Sequence, residues 1–159
     1  MKVEFCKALN GLMLEDSRAI TLIGDVAMPG METWPIRHAS RFFNLGACEQ
    51  SLIGIAAGLA TEGLRPVVHS ITPFLLDRAF EQIKLDIVLP RLPVILVGWS
   101  DAGHWGVSHQ SADLRGLAAL LELPLYEPED ASEAARDLHA AWRADMPSFI
   151  SLKRERRAS

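Results

Sequence analysis

The chain has 159 residues, 49% hydrophobic and 23% charged, with a formal net charge of −4. That length suits one domain with a real core and excludes two full α/β domains. The acidic balance and the lack of a broad basic stripe exclude nucleic acid as a main partner. Apolar stretches such as Leu52 to Ala60 are far too short to span a membrane, and two cysteines build neither a disulfide framework nor a zinc cluster. No basic leader with a cleavage site precedes the first helix, so the expected location is cytoplasmic.

Val3 to Leu14 carries apolar residues at helical spacing and stops at Glu15-Asp16. Ala19 to Gly24 is a short apolar run expected as a strand, and Asp25 to Arg41 a long loop. Asn44-Leu45-Gly46 should end a second strand. A helix from Glu49 to Thr61 then stops at Gly63, which supplies a left-handed cap. Pro66 to Ile71 is a strand, and Phe74 to Val88 one helix ending before Pro90.

Pro93 to Gly98 is continuously apolar, as a parallel strand covered on both faces would be. Ala112 to Leu121 is a helix with Ser111 as its cap, and Pro124 to Tyr126 a short strand. Asp130, with Glu133 three residues on, opens a helix to Ala144, and Ser148 to Leu152 closes the sheet. The alternation implies an α/β fold: an open, mostly parallel sheet with helices on both faces. Residues 1–153 form the domain; 154–159 are a basic tail, solvated rather than a binding patch.

In such sheets functional groups collect at the carboxyl ends of the strands. Asp25, Glu49, Phe74 and the 99–109 loop all follow expected strands. Glu49 opens a helix inside an apolar neighbourhood, with Phe42, Phe43 and Leu45 before it and Leu52 and Ile53 after. Two readings stand: a carboxylate stabilising a helix start, or a buried acid tuned for proton transfer. Phe74 either packs or offers a flat surface to a heteroaromatic ring. Cys48 reads as a small buried hydrophobe.

His104 and His109 lie in a loop without a third ligand. They suit substrate binding or proton transfer better than a metal. Gly54 and Gly58 within the helix each cost about 1 kcal/mol relative to alanine. Close approach by another element, here expected to be a subunit, would compensate. Gly24-Asp25 lacks the spacing of a nucleotide-binding fingerprint.

Four segments together, Phe42 to Gln50, Ala56 to Ala60, Arg78-Ala79-Phe80-Glu81-Gln82 and Gly106-Val107-Ser108-His109-Gln110, resemble the pyrimidine-binding domain of the transketolase family of thiamine diphosphate enzymes. The resemblance implies that Glu49 hydrogen-bonds N1′ of the coenzyme's aminopyrimidine and promotes its imino tautomer. Phe74 would pack on that ring, Asp25 would lie near the cofactor, and His109 would contact substrate oxygens near the reacting carbon, with His104 a further substrate contact. The expected activity is transfer of a two-carbon ketol unit from a ketose or ketose phosphate to an acceptor. Alternatives are a 2-oxoacid or deoxyxylulose-type condensation, or a non-catalytic stabilising subunit.

Two departures touch substrate recognition. Trp105 stands where the family has an acid, and the loop from Trp99 is about two residues short of the family pattern. The Gly-Asp-Gly motif that holds the diphosphate and Mg2+ is missing too. The resemblance therefore implies a separately encoded diphosphate-binding subunit supplying the metal ligands, in a heterotetramer.

Overall fold

The structure is a computed structural model that describes residues 1–26, 28–100, 106–110 and 113–153. Helix α1 (Lys2–Glu15) leads into β1 (Ala19–Ile23), a helical turn α2 (Trp34–Arg37) and β2 (Phe42–Asn44). Helix α3 (Glu49–Thr61), β3 (Arg65–Ile71) and α4 (Thr72–Leu76) follow, then α5 (Phe80–Gln82), which runs into a π-helical turn (Ile83–Val88). After β4 (Ile95–Ser100) come α6 (Leu114–Leu120), β5 (Leu125–Tyr126), α7 (Ala131–Ala144) and β6 (Ser148–Lys153).

The strands form one parallel sheet in the order β2-β1-β3-β4-β6-β5. Strand residues alternate between its faces. Val67, Ile95 and Ile150 meet Phe5, Leu9, Met13 and Leu138 of α1 and α7. Val68, Leu96 and Phe149 meet Leu52, Ile53 and Ala56 of α3 and Ile83 and Ile87 of the π turn. Both faces are covered, which is why the strands read as apolar runs rather than alternating ones. No helix among the described residues is long and apolar enough to cross a membrane.

Helix α3 matches its expected span, and the reason lies in its C-terminal cap. Gly63 takes a φ of +86°, its N–H bonds Ala60 O at 3.0 Å, and the Leu64 N–H bonds Leu59 O at 3.1 Å. This is the Schellman pattern that a left-handed glycine permits. Asp130 likewise caps α7, its carboxylate accepting from Glu133 N at 2.8 Å.

Four expectations are corrected. The 25–41 loop contains α2, because Trp34 is buried against Phe42 and His38 while Pro35 favours a first helical turn. The fourth strand starts at Ile95 and runs on through Trp99 and Ser100, whose backbones pair with Leu152 and Lys153. Asp113, not Ser111, caps α6, accepting from Gly116 N at 2.9 Å; Ser111 itself lies outside the described residues. The single helix expected over 74–88 is broken at Arg78-Ala79, where Gln50 Nε2 of α3 donates to the Arg78 carbonyl at 3.1 Å.

Two buried polar residues make contacts at the sheet, Arg65 to a helix and His69 between strands. Arg65 opens β3, donates to the Trp142 carbonyl in the last turn of α7, stacks on the Trp142 ring and pairs with Asp145 at 3.1 Å. A cation there also meets the negative end of the helix dipole. His69 is fully buried, and its Nδ1 donates to Val97 O at 2.9 Å. Burial pushes its imidazole down to about 4, against which the Val97 bond works only in part.

The unfolded chain takes that proton near its ordinary value of 6.5, the folded chain only near 4. Stability from His69 is therefore complete above pH 6.5 and is lost between 6.5 and 4, by about 3 kcal/mol. His69→Asn keeps a donor for Val97 O without the titration. Urea unfolding from pH 7.5 to 4, about that range, should show a steeper loss in the wild type than in the variant.

Candidate active site

The chain runs from β1 outward to β2 and then back across β1 to β3. That reversal makes a crevice at the carboxyl ends of the strands, the usual place for a ligand in open α/β sheets. Asn44 ties its first wall together. Its Oδ1 accepts from Asp25 N and Gly46 N, both at 3.0 Å, and its Nδ2 donates to Asp25 Oδ1 at 3.2 Å. Gly46, at φ +83°, turns the chain into α3, a conformation that favours glycine.

Glu49 follows as the first residue of α3. It heads the buried stripe Leu52, Ile53, Ala56, Ala57 and Ala60, and is only 5% exposed. Helical periodicity therefore turns this carboxylate inward. The cap position is Cys48, whose side chain makes no capping bond, and a favourable dipole at a helix start does not require the carboxylate after it to be buried. Glu49 Oε2 lies 3.7 Å from Arg78 Nη1, while Oε1 has no hydrogen-bond partner among the described residues. A buried carboxylate oxygen without a donor is costly.

Phe74 stands on α4, just past β3. The Arg78 guanidinium carbon sits 3.6 Å from its ring centroid, and His109 meets its edge at 4.8 Å. His109 belongs to a 3-10 turn (Val107–His109), with Ser108 Oγ 3.0 Å from its Nδ1. Glu49, Arg78, Phe74 and His109 thus form one continuous chain of contacts. A cleft of about 450 Å³ opens beside it, lined by Ala47, Cys48, Glu49, Gln50, Ser51 and Arg78.

Gly98 lets α4 come this close to the sheet. A methyl group at that position would overlap both the Phe149 ring and the Thr72 hydroxyl. Thr72 begins α4, two residues before Phe74.

Of the residues singled out from sequence, Glu49, Phe74 and His109 are brought together. Asp25 reaches the same end of the sheet but is exposed, takes a φ of +58° and bonds Asn44 rather than the other three. His104 and Trp105 lie outside the described residues. Cys48 is half-buried at the cleft wall, its thiol donating to Leu45 O at 3.1 Å. Sequence reasoning gave no role to Arg78 or Gln50, although both stand in the quoted motifs. No group of three or more potential metal ligands exists among the described residues. A separate cavity of about 360 Å³ lies at the opposite, amino-terminal end of the strands, walled by Leu85, Leu89, Leu120 and Pro147.

Residues 3–157 match the family described as "Transketolase, pyrimidine binding domain". The chain belongs to that family, and membership implies use of thiamine diphosphate. It is 31% identical over 156 residues to an uncharacterized 33.6 kDa protein in the fasciation locus of Rhodococcoides fascians, covering 96% of this chain and 50% of that protein. It is 35% identical over 132 residues to 1-deoxy-D-xylulose-5-phosphate synthase of Dechloromonas aromatica, covering 79% of this chain and 21% of the enzyme. Among solved structures, one described as "Split gene transketolase, inactive beta4 tetramer" superposes with a TM-score of 0.84 at 31% identity. The match covers 95% of this chain and 50% of that one. The chain thus spans half or less of these three relatives.

Gly98→Ala should destabilise the fold by about 1–3 kcal/mol, because the added methyl must displace Phe149 or α4. Urea and thermal unfolding check the loss. In the native protein, altered ring-current shifts at His109 would report movement of Phe74. An unchanged midpoint together with unchanged His109 resonances would contradict the close approach.

Proposed function

We propose that this chain is the pyrimidine-binding subunit of a split, thiamine diphosphate-dependent, transketolase-like enzyme. It would transfer a two-carbon ketol unit from a ketose or ketose phosphate to an acceptor. The observation that carries this reading is Glu49 Oε1, a buried carboxylate oxygen without a donor at the mouth of a cleft, linked through Arg78 to the face of Phe74. An aminopyrimidine offers what those groups lack: a polar ring edge to meet the carboxylate and a flat face for the phenyl ring.

The bound coenzyme would supply the electron sink for breaking a carbon–carbon bond. This chain supplies position and proton traffic. Glu49 would face the pyrimidine edge and exchange a proton with it. Phe74 fixes the plane of the ring. His109, at the Phe74 edge, is placed to exchange hydrogen bonds with substrate oxygens. Asp25, at the end of β1, faces the same crevice and would line the cofactor's surroundings. Residues 1–153 would act as the binding domain, with 154–159 as a basic tail.

The diphosphate and Mg2+ would be held by a separately encoded subunit, the Gly-Asp-Gly motif that holds them in the family not occurring in this sequence. Two features support a partner. The matched split-gene protein is a subunit assembly described as inactive in its β4 form. Gly54 and Gly58 also present a face of α3 that no other element among the described residues covers within 4 Å of an added methyl group, with Ile55 beside them 44% exposed. A heterotetramer in the cytoplasm fits this division of labour.

The 35% identity to a 1-deoxy-D-xylulose-5-phosphate synthase favours a second reading, condensation of a 2-oxoacid. Product analysis of the reconstituted pair with a ketose phosphate and with pyruvate separates the two. In either case Glu49→Gln preserves shape but removes the acid, and turnover should fall about 10²–10⁴-fold. Full turnover in that variant, with coenzyme bound, would sink the catalytic assignment.

A further inference from the structure

We propose that Arg78 is a stand-in for the coenzyme ring: in the free chain its guanidinium covers the Phe74 face beside Glu49, and an incoming aminopyrimidine displaces it. The inference rests on the assignment of Glu49 and Phe74 to the coenzyme given above. It goes further by naming the group that holds the empty site in shape.

Three observations converge on Arg78. Its guanidinium carbon lies 3.6 Å from the Phe74 ring centroid, so the flat cation covers that face of the ring. Its Nη1 is 3.7 Å from Glu49 Oε2. The contacts correspond to those an aminopyrimidine would make, a planar π surface on phenyl and nitrogen towards a carboxylate. The His109 ring is inclined to Phe74 at 61°, so it does not lie flat on the phenyl face as a stacked ring would.

The same residue is built to leave. Its backbone is pinned, with the carbonyl accepting from Gln50 Nε2 at 3.1 Å and the N–H directed at Pro73 O at 3.3 Å. Its side chain is 49% exposed, so the head can swing into solvent while the base stays fixed. At 3.7 Å the pairing with Glu49 is beyond hydrogen-bond length, and half-exposed ion pairs and cation–π contacts are individually weak. Arg78 thus compensates the buried carboxylate before the coenzyme arrives without holding the site shut. It is a positioning residue for the empty cleft and a competitor for the occupied one.

The test uses the full chain and 4-amino-5-hydroxymethyl-2-methylpyrimidine, the coenzyme's ring without diphosphate, so no partner or metal is required. In the free wild-type chain the Arg78 side-chain resonances should be shifted upfield by the Phe74 ring. They should move towards ordinary values as the pyrimidine is titrated in. Arg78→Ala and Arg78→Gln should bind the pyrimidine about five-fold more tightly than wild type, because no cation must be displaced. An arginine with a purely structural role would give weaker binding in both variants. Equal or weaker binding in both variants, or Arg78 resonances unmoved at saturation, overturns the stand-in while leaving the coenzyme site intact. If neither wild type nor either variant binds the pyrimidine, the coenzyme assignment fails and takes the stand-in with it.

Discussion

The constraint on which this structure turns is a carboxylate folded inward at the wall of a cleft, one of its oxygens left without a donor among the described residues. Glu49 sits on the inward stripe of α3, above Leu52 and Ile53, because helical periodicity leaves the first residue of that stripe no other direction. Burying a charged group without full hydrogen bonding works against stability. Three local devices hold it there. Gly46 turns the chain sharply, Asn44 fastens that turn to the end of β1, and α3 packs its apolar residues on the sheet. Arg78 supplies a loose counter-charge.

The second wall of the crevice shows the same economy of means. Gly98 has no side chain, so Thr72 and the start of α4 settle against β4. Phe74 is thereby set at the sheet's edge rather than out in solvent. A regular helix running on from α4 would carry its own carbonyl bonds past Arg78. Instead Gln50, the neighbour of Glu49, takes the Arg78 carbonyl. One side chain of the first wall thus fixes the backbone of the second, and the adjacent residues Glu49 and Gln50 hold the head and the base of a single arginine. The break in the helix and the shape of the cleft have one cause.

Much of this was legible in the sequence, for physical reasons. Strands buried on both faces write themselves as apolar runs, as in Pro93 to Gly98 and Ala19 to Gly24. Helix α3 could be bounded to the residue because its C-terminal signal, Gly63, is a backbone requirement rather than a preference. Glu49, Phe74 and His109 were singled out because each follows a strand and stands in or beside motifs that resemble one family. What stayed hidden depends on contacts between distant segments. The broken helix at Arg78 is decided by Gln50, 28 positions away, and no local propensity records that. α2 exists because Trp34 finds Phe42 and His38. The orphan oxygen of Glu49 is likewise a property of three-dimensional burial, which sequence could frame only as two competing readings.

Two surfaces of this domain are left unfinished by its own fold. The sheet is covered by helices on both faces, and the buried polar residues Arg65 and His69 each find a partner within the fold, while Arg65 Nε and His69 Nε2 have none among the described residues. Several buried polar atoms have no partner among the described residues, and of these Glu49 Oε1 belongs to the one residue that lines the cleft. The face of α3 that bears Gly54 and Gly58 is also left open. Two incomplete surfaces near one helix, one chemical and one steric, are what an interface with a bound ring between subunits would complete together. Filling either alone would leave the other exposed, so coenzyme and partner should reinforce each other's binding, which is positive linkage between two ligands of one fold.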